Sequence, residues 1–227
     1  MSWNPAGYRG NNPQGGPSSF SPADIAGLEA WWDGRVGITT TGPGVSLWAD
    51  QSGNGNDLLQ NTGANRPVDQ GDGSILFNGV DQWMEDTFTL AKPNTVYILA
   101  KQISWTNSDI IWSGQGGFSA YLHQTGSTPE VTVRGFSAGP SRISGWTLDT
   151  YATITCVVNG ASSAIVLNLD TPVGGDIGAG PDMDGFVLGA YVAGATPSNV
   201  QVKQVLVYSG AHTFDQATSV VNYLNAI

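Results

Sequence analysis

The sequence predicts an all-β fold: an antiparallel two-sheet sandwich with a short C-terminal helix and an extended N-terminal arm. Three observations carry that prediction. Between residues 36 and 209 the chain is a succession of short runs rich in β-branched and aromatic residues, such as "TVYILAKQI", "ATITCVV", "SAIVLNL" and "VQVKQVLVY". Glycine and proline clusters separate the runs, which favours a sandwich over a βαβ fold. Within the last run Val200, Val202, Leu206 and Tyr208 fall on one face and Gln201 and Lys203 on the other, the period of a strand. A chain of 227 residues suits one large all-β domain and buries a sizeable core.

The elements follow in order. Residues 1–20 are rich in Gly, Pro and Asn, with Trp3, Tyr8 and Phe20 as isolated aromatics. That composition does not form a core, so an extended or disordered arm is expected, and residues 21–227 form the domain. The domain starts with "SPAD": Ser21 caps, Pro22 suits the first helical position and Asp24 suits the positive end of a helical turn. "LEAWWDG" then enters a strand. In "WADQSGNGNDLLQ", Asn54-Gly55 is a turn pair that tolerates positive φ. Ser52, Asn54 and Asn56 are suited to bonding local backbone, and Asp50 and Asp57 to accepting backbone N–H groups. "ILFNGVDQWM" reads as two strands joined at Asn78-Gly79, a hairpin. Cys156 sits in an apolar alternation and reads as a buried hydrophobe; a single cysteine excludes an intrachain disulfide. At the C-terminus Thr213 and Gln216 form a capping box, and Val220, Val221 and Leu224 recur at helical spacing.

Three segments together, "SLWADQSGNGNDLLQ", "GSILFNGVDQWM" and "VKQVLVYSGAHTFDQATSVVNYLNAI", resemble the laminin-G-like, concanavalin-A-like jelly-roll domains. The first matches a W-x-D-x-S-G-x-G-N-D pattern and the second F-[DN]-G-x-D-x-[YW]. The last is a strand with a trailing helix. The resemblance spans about residues 24–227 and implies the sandwich. For function it implies several classes at once, because this sandwich hosts lectins, hydrolases, adhesion modules and virion proteins.

Charge narrows the field. Only 11% of residues are charged, against about 25% in an ordinary domain. The net charge of −10 opposes binding to nucleic acid or anionic membrane. No apolar run has the length of a membrane span. The N-terminus lacks the basic start and apolar core of a secretory leader, so synthesis in a host cytoplasm is expected.

The candidate residues point several ways. The three glutamates, Glu29, Glu85 and Glu130, do not share the spacing of a glycosidase pair. The nearest carboxylates, Glu85 and Asp86 in "DQWMED", are adjacent and face opposite sides of a strand. No G-x-S-x-G elbow is present. The sequence expectation is therefore no enzyme. Asp176, Asp182 and Asp184, in a glycine-rich loop, are candidate calcium ligands, weighed against a solvated acidic loop; no other cofactor is indicated. Trp105 and Trp146 are candidate sugar-stacking residues, weighed against ordinary packing. Trp3, Tyr8 and Phe20 suit pockets on a neighbour. The arm, the acidic surface and the lack of catalytic residues together resemble phage capsid decoration (cement) or fibre proteins. The expectation is a structural virion protein that binds a major capsid protein or other virion protein and its own copies, with a trimer favoured. The alternative is a carbohydrate-binding, lectin-like module of a phage fibre or secreted bacterial protein.

Overall fold

The computed structural model describes residues 20–116, 119–143 and 145–227. Two antiparallel sheets pack face to face, with one helix on the outside of the first, as the sequence predicts. The first half of the chain supplies β1 (Leu28–Asp33), β2 (Ile38–Thr41), β3 (Gly44–Trp48), β4 (Leu58–Leu59), β5 (Val68–Asp69), β6 (Ile75–Asn78), β7 (Met84–Asp86) and β8 (Asn94–Gln102). The second half supplies β9 (Ile110–Ser113), β10 (Tyr121–Gln124), β11 (Glu130–Arg134), β12 (Ala138–Ile143) and β13 (Ala152–Val158). It closes with β14 (Ser163–Leu167), β15 (Val173–Gly175), β16 (Phe186–Leu188), β17 (Asn199–Ser209) and α1 (Phe214–Asn225). The eight-stranded sheet runs β15-β14-β13-β8-β17-β6-β5, with β1 also paired to β17. The nine-stranded sheet runs β12-β11-β10-β9-β16-β7-β4-β3-β2.

The core lies between the sheets. Trp32, Trp48, Trp112, Phe77 and Phe186 are fully buried there, and Phe186 stacks on Trp112 with ring centroids 5.6 Å apart. Cys156 is buried in the same core, and burial raises its thiol pKa. A second cluster lies under α1, where Val220, Val221 and Leu224 cover Tyr97, Leu206 and Tyr208. Burying each aliphatic side chain contributes about 1.5–3 kcal/mol. The helix begins at a capping box formed by Thr213 and Gln216. A second capping box joins Ser21 to Asp24 around a single 3₁₀ turn, Pro22–Asp24.

The "WADQSGNGNDLLQ" loop is held by its own polar groups. The Asp50 carboxylate accepts N–H bonds from Trp31 and Ser52 at 2.8 Å and from Gly55 at 3.1 Å, and the Ser52 hydroxyl at 2.6 Å. Asn54 and Asn56 donate to the Glu29 carbonyl at 3.0 and 2.8 Å, which pins the loop to β1. These residues replace the strand partners that the loop lacks.

Three sequence expectations are corrected. Asn78-Gly79 does not join a hairpin: β6 pairs with β17 in one sheet and β7 with β16 in the other, so the turn carries the chain across the sandwich. Its geometry comes from Asn78, whose Oδ1 accepts from Val80 N and Asp81 N while its N–H donates to Gln82. The faces of β17 are not constant either. A bulge between Val202 and Gln204 shifts the register by one residue. Val200, Val202, Val205 and Val207 therefore face the inter-sheet core, and Leu206 and Tyr208 face the helix. Finally, Phe20 packs within its own chain, edge-on to Tyr223 with centroids 6.0 Å apart, rather than belonging to a free arm. Trp3 and Tyr8 lie outside the described residues.

Candidate functional site

The nine-stranded sheet sorts its side chains by row. Met84, Leu188, Trp112, Leu122 and Val133 lie directly opposite one another across β7, β16, β9, β10 and β11 and fill the core. The neighbouring row must therefore face outward. It reads Leu59, Glu85, Val187, Ser113, Tyr121 and Arg134 across β4 to β11.

The centre of this outer row is covered. Val187 and Ser113 are buried although they face away from the core. The loop between β16 and β17 folds over them. Ser113 donates its hydroxyl to the Ala190 carbonyl at 3.5 Å. The Tyr191 ring meets Tyr121 at 5.5 Å between centroids, and Gly194 lies against the indole of Trp83. The loop thus separates two exposed ends of the sheet.

At one end a cavity of about 280 Å³ opens between β4, β7 and the segment after β9. Trp83 and Glu85, two positions apart and on the same face, line it with Leu59 and Gln115. Gln115 Nε2 donates to Glu85 Oε2 at 2.7 Å. Burial pushes the Glu85 carboxyl above the usual carboxylate range. Gln60 braces the wall: its Nε2 donates to the Trp83 carbonyl at 2.8 Å and its Oε1 accepts from Thr62 N at 2.9 Å. Asp86 borders the cavity, but it pairs with Phe186 and alternation turns its side chain to the other face of β7. Burial also raises the Asp86 pKa, with smaller contributions from Asp57 and Asp50. A half-buried indole, one carboxylate and convergent amides make a site suited to a small polar ligand with an apolar face.

At the other end the outer face carries a hydroxyl ladder. Thr132 Oγ1 lies 2.7 Å from both Thr125 Oγ1 and Ser141 Oγ. His123 stands beside it, edge-on to Tyr121 at 6.1 Å, and burial, aided by the charge of Arg134, lowers its pKa.

The residues singled out by sequence lie elsewhere. Trp146 is only 3% exposed and donates its indole N–H to the Thr150 carbonyl at 3.2 Å. Trp105 is half-buried, packs on the core and meets Trp146 edge to face at 5.4 Å. The expectation of sugar stacking by Trp146 is corrected: its ring is enclosed by protein. The three loop aspartates do not converge. Asp176 accepts from Gly178 N at 2.7 Å, Asp182 accepts from Lys92 N at 2.9 Å, and Asp184 lies beside Gly116. Lys92 also donates to the Gly180 carbonyl, so a cation is already built into this loop. Among the described residues no three His, Cys, Asp or Glu side chains gather to hold a metal. No helix among them is long and apolar enough to cross a membrane.

No protein-family model matches the chain, and no curated protein matches it in sequence. Solved structures do share its fold. Trypanosoma rangeli sialidase is similar over 87% of this chain and 33% of its own, with TM-score 0.63 and 17% identity. A GH54 α-L-arabinofuranosidase soaked with 4-nitrophenyl α-L-arabinofuranoside is similar over 80% of this chain and 50% of its own, with TM-score 0.64 and 14% identity. This chain thus spans about a third of the first protein and half of the second. At these identities the likeness establishes the fold, a jelly-roll or concanavalin-like sandwich. It also corrects two sequence expectations. The two structures named here are both glycosidases and neither is a virion protein, which corrects the structural-virion reading and the expectation of no enzyme as far as fold kinship reaches.

Proposed function

We propose that the chain is a carbohydrate-binding β-sandwich module and that it binds sugar in the cavity on the outer face of the nine-stranded sheet. One observation carries the reading. A half-buried tryptophan, Trp83, shares an open cavity with a carboxylate–carboxamide pair, Glu85 and Gln115, held 2.7 Å apart. A sugar ring presents an apolar C–H face and a rim of hydroxyls. An indole suits the first, and oriented carboxylate and amide groups suit the second. The likeness in fold to two glycosidases, a sialidase and an arabinofuranosidase, supports a carbohydrate reading.

The test is a glycan array followed by titration calorimetry on the best ligand. Trp83→Ala should weaken binding at least tenfold while leaving the melting curve cooperative. A folded protein that binds no glycan, or a Trp83→Ala variant that binds unchanged, overturns the proposal.

A further inference from the structure

This inference rests on the carbohydrate reading above and narrows the ligand. We infer that the cavity accepts neutral, hydroxyl-bearing sugars and excludes sugars that carry a carboxylate. The cavity is lined without any Lys, Arg or His. Its central ionisable group is Glu85, which as a carboxylate only accepts hydrogen bonds, so its ligand partner must donate. Sugar hydroxyls donate; a second carboxylate does not.

The nearby cation is already committed. Arg66 donates from Nε to the Gln60 carbonyl at 2.9 Å, from Nη1 to the Thr41 carbonyl at 2.8 Å and from Nη2 to the Asn61 carbonyl at 3.3 Å. Its guanidinium ties the backbone of Gln60, Asn61 and Thr41 together. The Gln60 amide is spent in the same way, on Trp83 and Thr62. An incoming anion would thus meet the Glu85 carboxylate with no Lys, Arg or His side chain lining the cavity to receive it, in a half-buried place where water screens charge poorly. The whole-chain charge of −10 adds a longer-range repulsion of the same sign.

The experiment compares matched ligands at pH 8, far on the alkaline side to favour the carboxylate, and at low salt. Lactose is titrated against 3′-sialyllactose, and xylotetraose against its glucuronic-acid-substituted form. The best neutral ligand from the array is titrated against a copy oxidised to a uronic acid. The neutral member should bind about tenfold more tightly. Glu85→Gln should shrink that ratio below about twofold, because the amide keeps the shape and removes the charge. Leu59→Lys, at an exposed rim position, should shift the preference toward the acidic member. Wild-type protein that takes the acidic member equally well or better overturns this inference and leaves carbohydrate binding standing. A ratio unchanged in both variants overturns it as well. Binding of neither member of any pair overturns the carbohydrate reading, and this inference falls with it.

Discussion

Gly194 lies against the indole of Trp83 so closely that a Cβ at position 194 would come within 2.3 Å of Trp83 Nε1. The glycine also has φ +77°, where a side chain is strained. Gly194→Ala should therefore act twice. It should cost about 1–3 kcal/mol of stability and push the indole into the cavity. The expected readings are a melting temperature lower by several degrees, a changed tryptophan emission and weakened glycan binding. A variant with wild-type emission and affinity would show that the loop after β16 does not set the position of Trp83.

Gly55 and Gly79 test the two turns separately. Both have positive φ, 80° and 69°. A Cβ at Gly55 meets nothing within 4 Å, whereas one at Gly79 would lie 2.9 Å from the Asn199 backbone nitrogen. Gly55→Ala should cost only the conformational strain, about 1 kcal/mol. Gly79→Ala should cost about 1 kcal/mol more, because the close approach of the turn to Asn199 of β17, the neighbouring strand of the same sheet, must open. Denaturant melts that rank the two variants equally would contradict the close packing of the Gly79 turn on β17.

Asp109 and His212 should make stability depend on pH with opposite signs. Burial raises the Asp109 pKa from 3.8 to about 6. The folded state then holds that proton more tightly than the unfolded chain, so its contribution falls as pH rises from about 4 to 6. Burial lowers the His212 pKa from 6.5 to about 4; its Nδ1 lies 2.8 Å from the Tyr97 hydroxyl, and its Nε2 is buried without a partner. The unfolded chain takes up that proton first, so stability falls as pH drops from 6.5 to 4. Each effect is worth about 1–2 kcal/mol after allowance for water access. Asp109→Asn should leave a protein that loses stability in acid across this window, and His212→Asn one that gains it. Parallel pH profiles for the two variants would refute the assignment.

The outline of the fold was legible because periodicity reports which side chains are buried. The capping boxes at Ser21 and Thr213, the buried Cys156 and the helix face of Val220, Val221 and Leu224 all follow from local pattern. Pairing partners were not legible. The alternation of β17 is broken by a bulge that moves Val205 and Val207 onto the face predicted for Leu206 and Tyr208. The hairpin signal at Asn78-Gly79 describes a turn but not which sheets it joins. The same limit hid the candidate site. Trp83 and Glu85 are visible in "DQWMED", yet Gln115 reaches them only because β9 and β7 flank β16. Their spacing, with Trp83 just before β7 and Glu85 two residues on within it, was the available signal. Trp105 and Trp146 drew attention by lying in loop-like sequence, and the fold uses them to close one end of the core.

The last prediction concerns Phe20. Sequence composition assigns this ring to an arm that reaches a neighbour. In the fold it meets Tyr223 edge-on at 6.0 Å, and Tyr223 in turn meets Trp31 at 6.3 Å, so the three rings tie the start of the domain to α1. Just beyond, the Tyr208 hydroxyl donates to the Pro22 carbonyl at 2.9 Å, which fixes the turn that presents Phe20. Edge-to-face aromatic pairs contribute about 0.5–1.5 kcal/mol beyond their buried area. Phe20→Ala should therefore lower the melting temperature of the isolated protein by a few degrees at any protein concentration. Phe20→Ala and Tyr223→Ala combined should cost less than the sum of the two, with a coupling of about 0.5–1.5 kcal/mol, because each single change already breaks the pair. Additive losses, or a Phe20→Ala effect that appears only at concentrations where copies associate, would return Phe20 to the role of an anchor on a partner.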